Sequence, residues 1–353
     1  MRGICLTIVF AFVLLFVSSV PAEARKLVLT VVGDIMLAGN ASATFSREGY
    51  EYPFAATASI LQASDIALGN LEAPIARTGL EFTGKKYRFK ADPKAAMAIR
   101  KAGFSVLTLA NNHIMDFGAQ GLAETCENLK NENILFTGAG KNLAGARRPV
   151  VLEKHGQKIA FLAYSLTHPK AFYAGTESPG AAPGSPRFFM EDIKKAKVFA
   201  DYVVVSFHWG AEGATFPKSY QVSVARMAID AGADVVVGHH PHVLQGIERY
   251  KGRLILYSLG NYAFGSMSRN ADTSVMARIV LDHGVREVEL FPLNVKNAEV
   301  HYQPALLKGL RAQRVISHLQ ELSCQWHTDI VNEGMHYFVR SESRKTVALR
   351  VLH

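Results

Sequence analysis

Five short apolar runs in this chain each lead into residues able to bind a metal ion, and that recurrence restricts the fold more than any single motif does. Residues 25–32 lead into Gly33-Asp34, residues 65–68 into Gly69-Asn70-Leu71-Glu72, and residues 104–109 into Ala110-Asn111-Asn112-His113. Residues 202–207 lead into His208-Trp209-Gly210, and residues 233–237 into Gly238-His239-His240-Pro241-His242. Valine-rich runs of this length read as strands of a covered sheet. Their carboxyl ends meet in the crevice where α/β folds place ligands. Any one of the polar residues could be a helix cap or a turn former. Five at equivalent positions point to one site.

Helical patterns separate the runs, over residues 53–62, 119–131, 191–199 and 220–231. A further helix opens at Asp92 with Pro93 in its first turn and Gly103 just past its end, start and stop signals in the right order. Residues 150–153 and 158–163 read as a hairpin. Residues 274–281 and 285–293 read as an antiparallel pair. The stretch 179–186, rich in proline and glycine, predicts an exposed loop, and Gly138-Ala139-Gly140 a turn. The expected fold class is α/β, a layered sandwich with mixed sheets. The domain spans residues 25–300, and residues 301–353 form a C-terminal appendage whose amphipathic helix, 306–326, is expected to pack.

Residues 1–24 have the makings of a signal peptide: Met1-Arg2, an apolar run over 4–17, and Ala22-Glu23-Ala24 before the expected cleavage. The alternative, an uncleaved membrane anchor, meets an apolar stretch short for a spanning helix. The expected location is periplasmic or extracellular, membrane-associated if the signal stays. Cys126 and Cys324 are expected to be free. A net charge of +9 favours anionic partners. No aromatic-basic cluster of the kind single-stranded nucleic acid needs accompanies it.

The candidate ligands are thus Asp34, Glu72, Asn112, His208, His240 and His242. Two carboxylates, an amide oxygen and three imidazoles suit one or two divalent ions such as manganese, iron or zinc. His240 and His242 stand two apart, so in an extended segment both rings face one way. His155, His168 and His283 fall away from the strand ends and read as surface histidines.

Read together, Gly33-Asp34-Ile35-Met36, Gly69-Asn70-Leu71-Glu72, Asn111-Asn112-His113-Ile114-Met115-Asp116, His208-Trp209-Gly210 and Gly238 through Gln245 resemble the CapA family of poly-γ-glutamate capsule biosynthesis proteins. That family is similar to the calcineurin-like metallophosphatases. The resemblance implies a four-layer α/β/β/α sandwich with two metals at the strand ends. It also implies roles: Asp34 and His242 on the first metal, Glu72 bridging, and Asn112, His208 and His240 on the second. His113 would be the general acid and Asp116 its orienting partner. Two residues depart from the superfamily pattern. Met36 stands where its first motif has a ligand histidine, and the second motif offers Glu72 in Gly-Asn-Leu-Glu where an aspartate normally follows the glycine.

The implied partner is an anionic polymer, poly-γ-glutamate, with capsule synthesis or export subunits as further partners. Lys85, Lys86 and Arg88, in a basic-aromatic loop, either meet that polymer or form a solvated turn. The leading functional expectation is an exported metal-dependent hydrolase acting at a phosphoryl or acyl centre. A non-catalytic polymer-binding subunit and a general metallophosphoesterase are the alternatives.

Overall fold

The computed structural model describes residues 26–266 and 270–341. The expected signal peptide and residues 342–353 lie outside the described residues. Among these, the strands form a ten-stranded sheet, a six-stranded sheet and a two-stranded ribbon.

At the centre of the large sheet lies Leu27–Met36, with Ile66–Leu71, Val106–Thr108 and Leu135–Thr137 following in parallel on one side. On the other side, Thr273–Leu281 pairs antiparallel with it and with Val285–Asn294. The smaller sheet runs Ile247–Tyr250, Arg253–Leu256, Val235–His239, Tyr202–His208, Gln157–Ser165 and Val150–Lys154.

Strand alternation builds the layers. Leu27, Leu29 and Val31 face a cluster between the sheets with Val204, Val235 and Leu256, whereas Val32 and Ile35 face helices on the outer side with Ile99, Phe104 and Leu122. On the smaller sheet Val203, Val205 and Phe207 turn the other way, against Ile193 and Ala225. Those residues belong to Pro186–Lys197 and Ser219–Ala231. The result is a four-layer α/β/β/α sandwich.

Helix Lys94–Ala102 ends at Gly103, whose φ of 110° supplies the left-handed cap that the sequence signals predict. The expected helix over 53–62 splits into Tyr52–Phe54 and Ala58–Gln62, with the Thr57 hydroxyl turned onto that of Tyr262 at 2.5 Å.

The stretch 179–186 is not the exposed loop its composition suggests. Gly180–Ala181 is buried and pairs with Ala139–Gly140, which is therefore strand and not turn. Small residues permit this: a Cβ at Gly180 would lie 2.5 Å from the Phe172 carbonyl oxygen.

Residues 301–341 add strands to the large sheet and a helix to the cluster beneath it. His336–Ser341 pairs with Val285–Asn294 through Leu290 and Tyr337, and Thr328–Glu333 pairs with it in turn. Helix Gly309–Ser323 puts Val315, Ile316, Leu319 and Leu322 into the cluster between the sheets. Cys126 and Cys324 are free. No helix among the described residues is long and apolar enough to cross a membrane.

Candidate metal centre

Both ends of the site depend on glycines that let two strands approach. A Cβ at Gly33 would fall 1.9 Å from the Gly260 carbonyl oxygen, and one at Gly238 would fall 2.0 Å from that of Tyr257. With no side chain at these positions, Asp34 and His239 are carried on strands, not after them, and Asp34 donates its backbone N–H to Gly260 at 3.1 Å.

Asp34 is fully buried, and two hydrogen-bond donors and two imidazole nitrogens converge on its carboxylate. Asn70 Nδ2 lies 2.9 Å and His239 Nδ1 3.0 Å from Oδ1. The His240 backbone N–H lies 3.1 Å and His242 Nδ1 3.2 Å from Oδ2. Burial would raise its pKa, but the contacts with His239 and His242 hold it well below the usual carboxylate range.

Glu72 lies beneath the histidines. Its Oε1 is buried without a hydrogen-bond partner, 3.5 Å from His208 Nε2 and 3.8 Å from His242 Nε2. Burial, and then the charge of Asp34, raise its pKa well above the ordinary value. His208 Nε2 meets Asn112 Oδ1 at 2.7 Å. His208 is held well below its normal pKa by burial and then by His240, and His240 falls to about 3 through burial and the nearby His242.

Two fully buried ligand sets overlap here, each with ligand atoms within 4.8 Å of one another: Asp34, Glu72 and His242, and Glu72, His208 and His240. Glu72 is common to both. The buried, unpartnered Glu72 Oε1 and His240 Nδ1 are polar atoms that a bound cation would satisfy. The donor chemistry suits borderline divalent ions.

The segment around Pro241 is not the extended one that would turn the two rings to one side. His240 and His242 have φ of 95° and 60°, and a turn brings their ring centroids to 5.9 Å. Backbone in this region costs a non-glycine residue about 1–3 kcal/mol and persists where surrounding structure enforces it. Here the Asp34 carboxylate holds the His240 N–H.

At the rim, His113 Nδ1 lies 2.6 Å from Asp116 Oδ2. Asp116 also receives the Phe89 backbone N–H at 2.9 Å and Lys85 Nζ at 2.7 Å. Burial lowers the pKa of His113, with Asp116 opposing. Lys85, Lys86 and Arg88 do not act as a set. Lys85 turns inward, touching Asp116, the Asn112 carbonyl and, at 3.1 Å, His113 Nδ1. Lys86 lies exposed over the Tyr87 ring, and Arg88 pairs with Glu81 at 2.7 Å. His155, His168 and His283 are exposed and away from the cluster, His155 pairing with Asp65.

Several participants carry no strand-end signal of their own. Asn70 reaches Asp34, Glu72 at 3.4 Å and His208 at 3.4 Å, and Asn111 Nδ2 donates to its amide oxygen at 3.1 Å. Asn70 follows the glycine of its motif, which is the one cue in the sequence. Asn261 Oδ1 meets His242 Nδ1 at 3.0 Å, and exposed Glu212 overlooks His240 and His242.

A pH dependence follows for metal-free protein. His242 is raised to about 9: burial opposes its charge, but Glu72 and Asp34 prevail. A folded-state pKa above the unfolded value of about 6.5 gives stability that is complete below about pH 6.5. That stability is lost as pH rises through about 9, and the raised Glu72 acts in the same direction. Thermal melts of chelated protein should therefore fall over this window. Melts of metal-loaded protein should be flatter, because an ion takes the place of the proton.

The bacterial capsule synthesis protein family PGA_cap matches residues 28–266 of this chain. Capsule biosynthesis protein CapA of Bacillus anthracis is 35% identical over 282 residues, covering 78% of this chain and 69% of that protein. PGA biosynthesis protein CapA of Bacillus subtilis (strain 168) is 34% identical over 306 residues, covering 84% and 80%. Among solved structures, a 5'-nucleotidase precursor from Thermus thermophilus aligns with a TM-score of 0.47 at 13% identity, covering 84% of this chain and 59% of that one.

Proposed function

Because the chain belongs to the bacterial capsule synthesis family PGA_cap, we propose that it is an exported, divalent-metal-dependent hydrolase acting on an anionic capsule polymer such as poly-γ-glutamate during its synthesis or processing. The observation that carries this reading is the convergence of Asp34, Glu72, His208, His240 and His242 around the unpartnered Glu72 Oε1, with His113 held beside them by Asp116. One or two manganese, iron or zinc ions held by these residues and Asn112 would polarise the scissile carbonyl or phosphoryl oxygen and acidify water.

The protein's own groups supply the rest. Asp116 fixes His113 through Nδ1 and favours its imidazolium form, whose Nε2–H would protonate a leaving group. Lys85 braces Asp116, and the net charge of +9 favours a polymer of carboxylates over a neutral one. Residues 1–24 act as the export signal in this reading.

A second reading is a polymer-binding subunit without catalysis. Met36 favours it: the side chain at the position of a ligand histidine is fully buried among apolar residues and leaves the first ion one nitrogen short.

Incubation of manganese-loaded protein with poly-γ-glutamate and, in parallel, with chromogenic phosphate mono- and diesters separates the readings. New amine ends from the polymer are the expected result. Ester hydrolysis alone would make the protein a general phosphoesterase, and binding with neither reaction would leave the non-catalytic reading.

A further inference from the structure

The first-ion set of Asp34, Glu72 and His242 offers three ligands, and Met36 cannot add a fourth because it is fully buried in the apolar cluster with Ile35 and Phe264. Zinc takes four ligands in its protein sites, and manganese takes more. One acidic side chain outside the five strand ends lies beside His242 of this set and His240 of the other. A carboxylate oxygen of Glu212 and ligand nitrogens of His240 and His242 all lie within 4.8 Å of one another.

We propose that Glu212 is a ligand of the metal centre, supplying from a loop the donor that position 36 does not. The proposal rests on the metal-centre reading above.

The loop holds Glu212 in place over the histidines. Trp209 donates its backbone N–H to the His239 carbonyl at 3.1 Å, and Gly213 to the Pro241 carbonyl at 2.8 Å. Gln245 Nε2 holds the Ala214 carbonyl at 2.8 Å, and the Gly210 N–H is tied to the Tyr220 hydroxyl at 2.7 Å. Gly210 and Gly213, with φ of 86° and 73°, make the two bends that carry residue 212 over the site. The loop is thus fastened to the segment that bears His240 and His242, on both sides of Glu212.

The carboxylate itself is uncommitted, since among the described residues Glu212 has no hydrogen-bond or ion-pair partner. Its charge reaches into the site all the same, raising the pKa of both Glu72 and His242. A carboxylate is a better donor than a thioether for manganese, iron or zinc, so Glu212 replaces the missing histidine with a harder ligand.

Calorimetric titration of the purified full chain with manganese and with zinc, for wild type, Glu212→Gln and Glu212→Ala, tests this. Both variants should bind the weaker ion, or the single ion if one binds, at least about tenfold less tightly. The metal-free variants should melt as wild type does, because residue 212 is exposed. Unchanged affinities for every ion would overturn the role of Glu212 and leave the metal centre standing. A wild type that binds no ion would overturn the metal centre, and the Glu212 assignment with it.

Discussion

Replacing His113 by alanine should slow hydrolysis by roughly 10²–10⁴-fold, the usual contribution of a positioned general acid, without changing how much metal the protein binds. His113 is the rim group whose geometry suits proton donation. Its Nδ1 is anchored on Asp116 at 2.6 Å, and Asp116 is itself braced by Lys85 and the Phe89 N–H. His113 belongs to none of the three sets of candidate ligand atoms. The loss should depend on the leaving group: large for an amide or alkyl ester, which needs a proton, and small for a nitrophenyl ester, which does not. Rates of both substrate kinds with His113→Ala, together with its metal content, check this. An equal loss for both kinds would show that the residue only shapes the site.

Asp34→Ala should have the largest effect on the protein itself. Asn70, His239, His242 and the His240 N–H all point at this one buried carboxylate. Its removal leaves those donors facing a cavity and leaves His242 charged beside Glu72 alone. Breaking a buried ion pair by deleting one partner costs about 3–5 kcal/mol, and the first ion loses a ligand in the same step. Urea unfolding of chelated wild type and variant measures the first effect, and metal titration the second. A variant as stable as wild type would mean that the Asp34 contacts do not hold the two sheets' ends together.

The fold was legible where local chemistry and periodicity agreed. The strands before Asp34, Glu72, Asn112, His208 and His240 are apolar runs, and Gly103 closes its helix as its position predicts. The sequence misled where backbone approach overrode composition. Gly180 and Ala181 look like loop residues, yet their lack of bulk is what lets them pair beneath Phe172.

The ligand candidates were legible because each lies at or just past the carboxyl end of an apolar run, but their partners were not. Asn70 and His239 reach across the gap between the two sheets, to His208 and Asp34, and no spacing in one dimension encodes that gap. Lys85 shows the same limit in reverse. Its basic neighbours suggest a surface that meets substrate, whereas its ammonium is spent on Asp116 and the Asn112 carbonyl.

The central claim is that the five strand ends assemble a divalent-metal centre, and the metal content of purified protein tests it most directly. Mass-spectrometric metal analysis after metal-replete expression and gel filtration should find one or two equivalents of manganese, iron or zinc in wild type, and a clear deficit in Asp34→Ala and His240→Ala. Wild type as empty of metal as both variants would contradict the account.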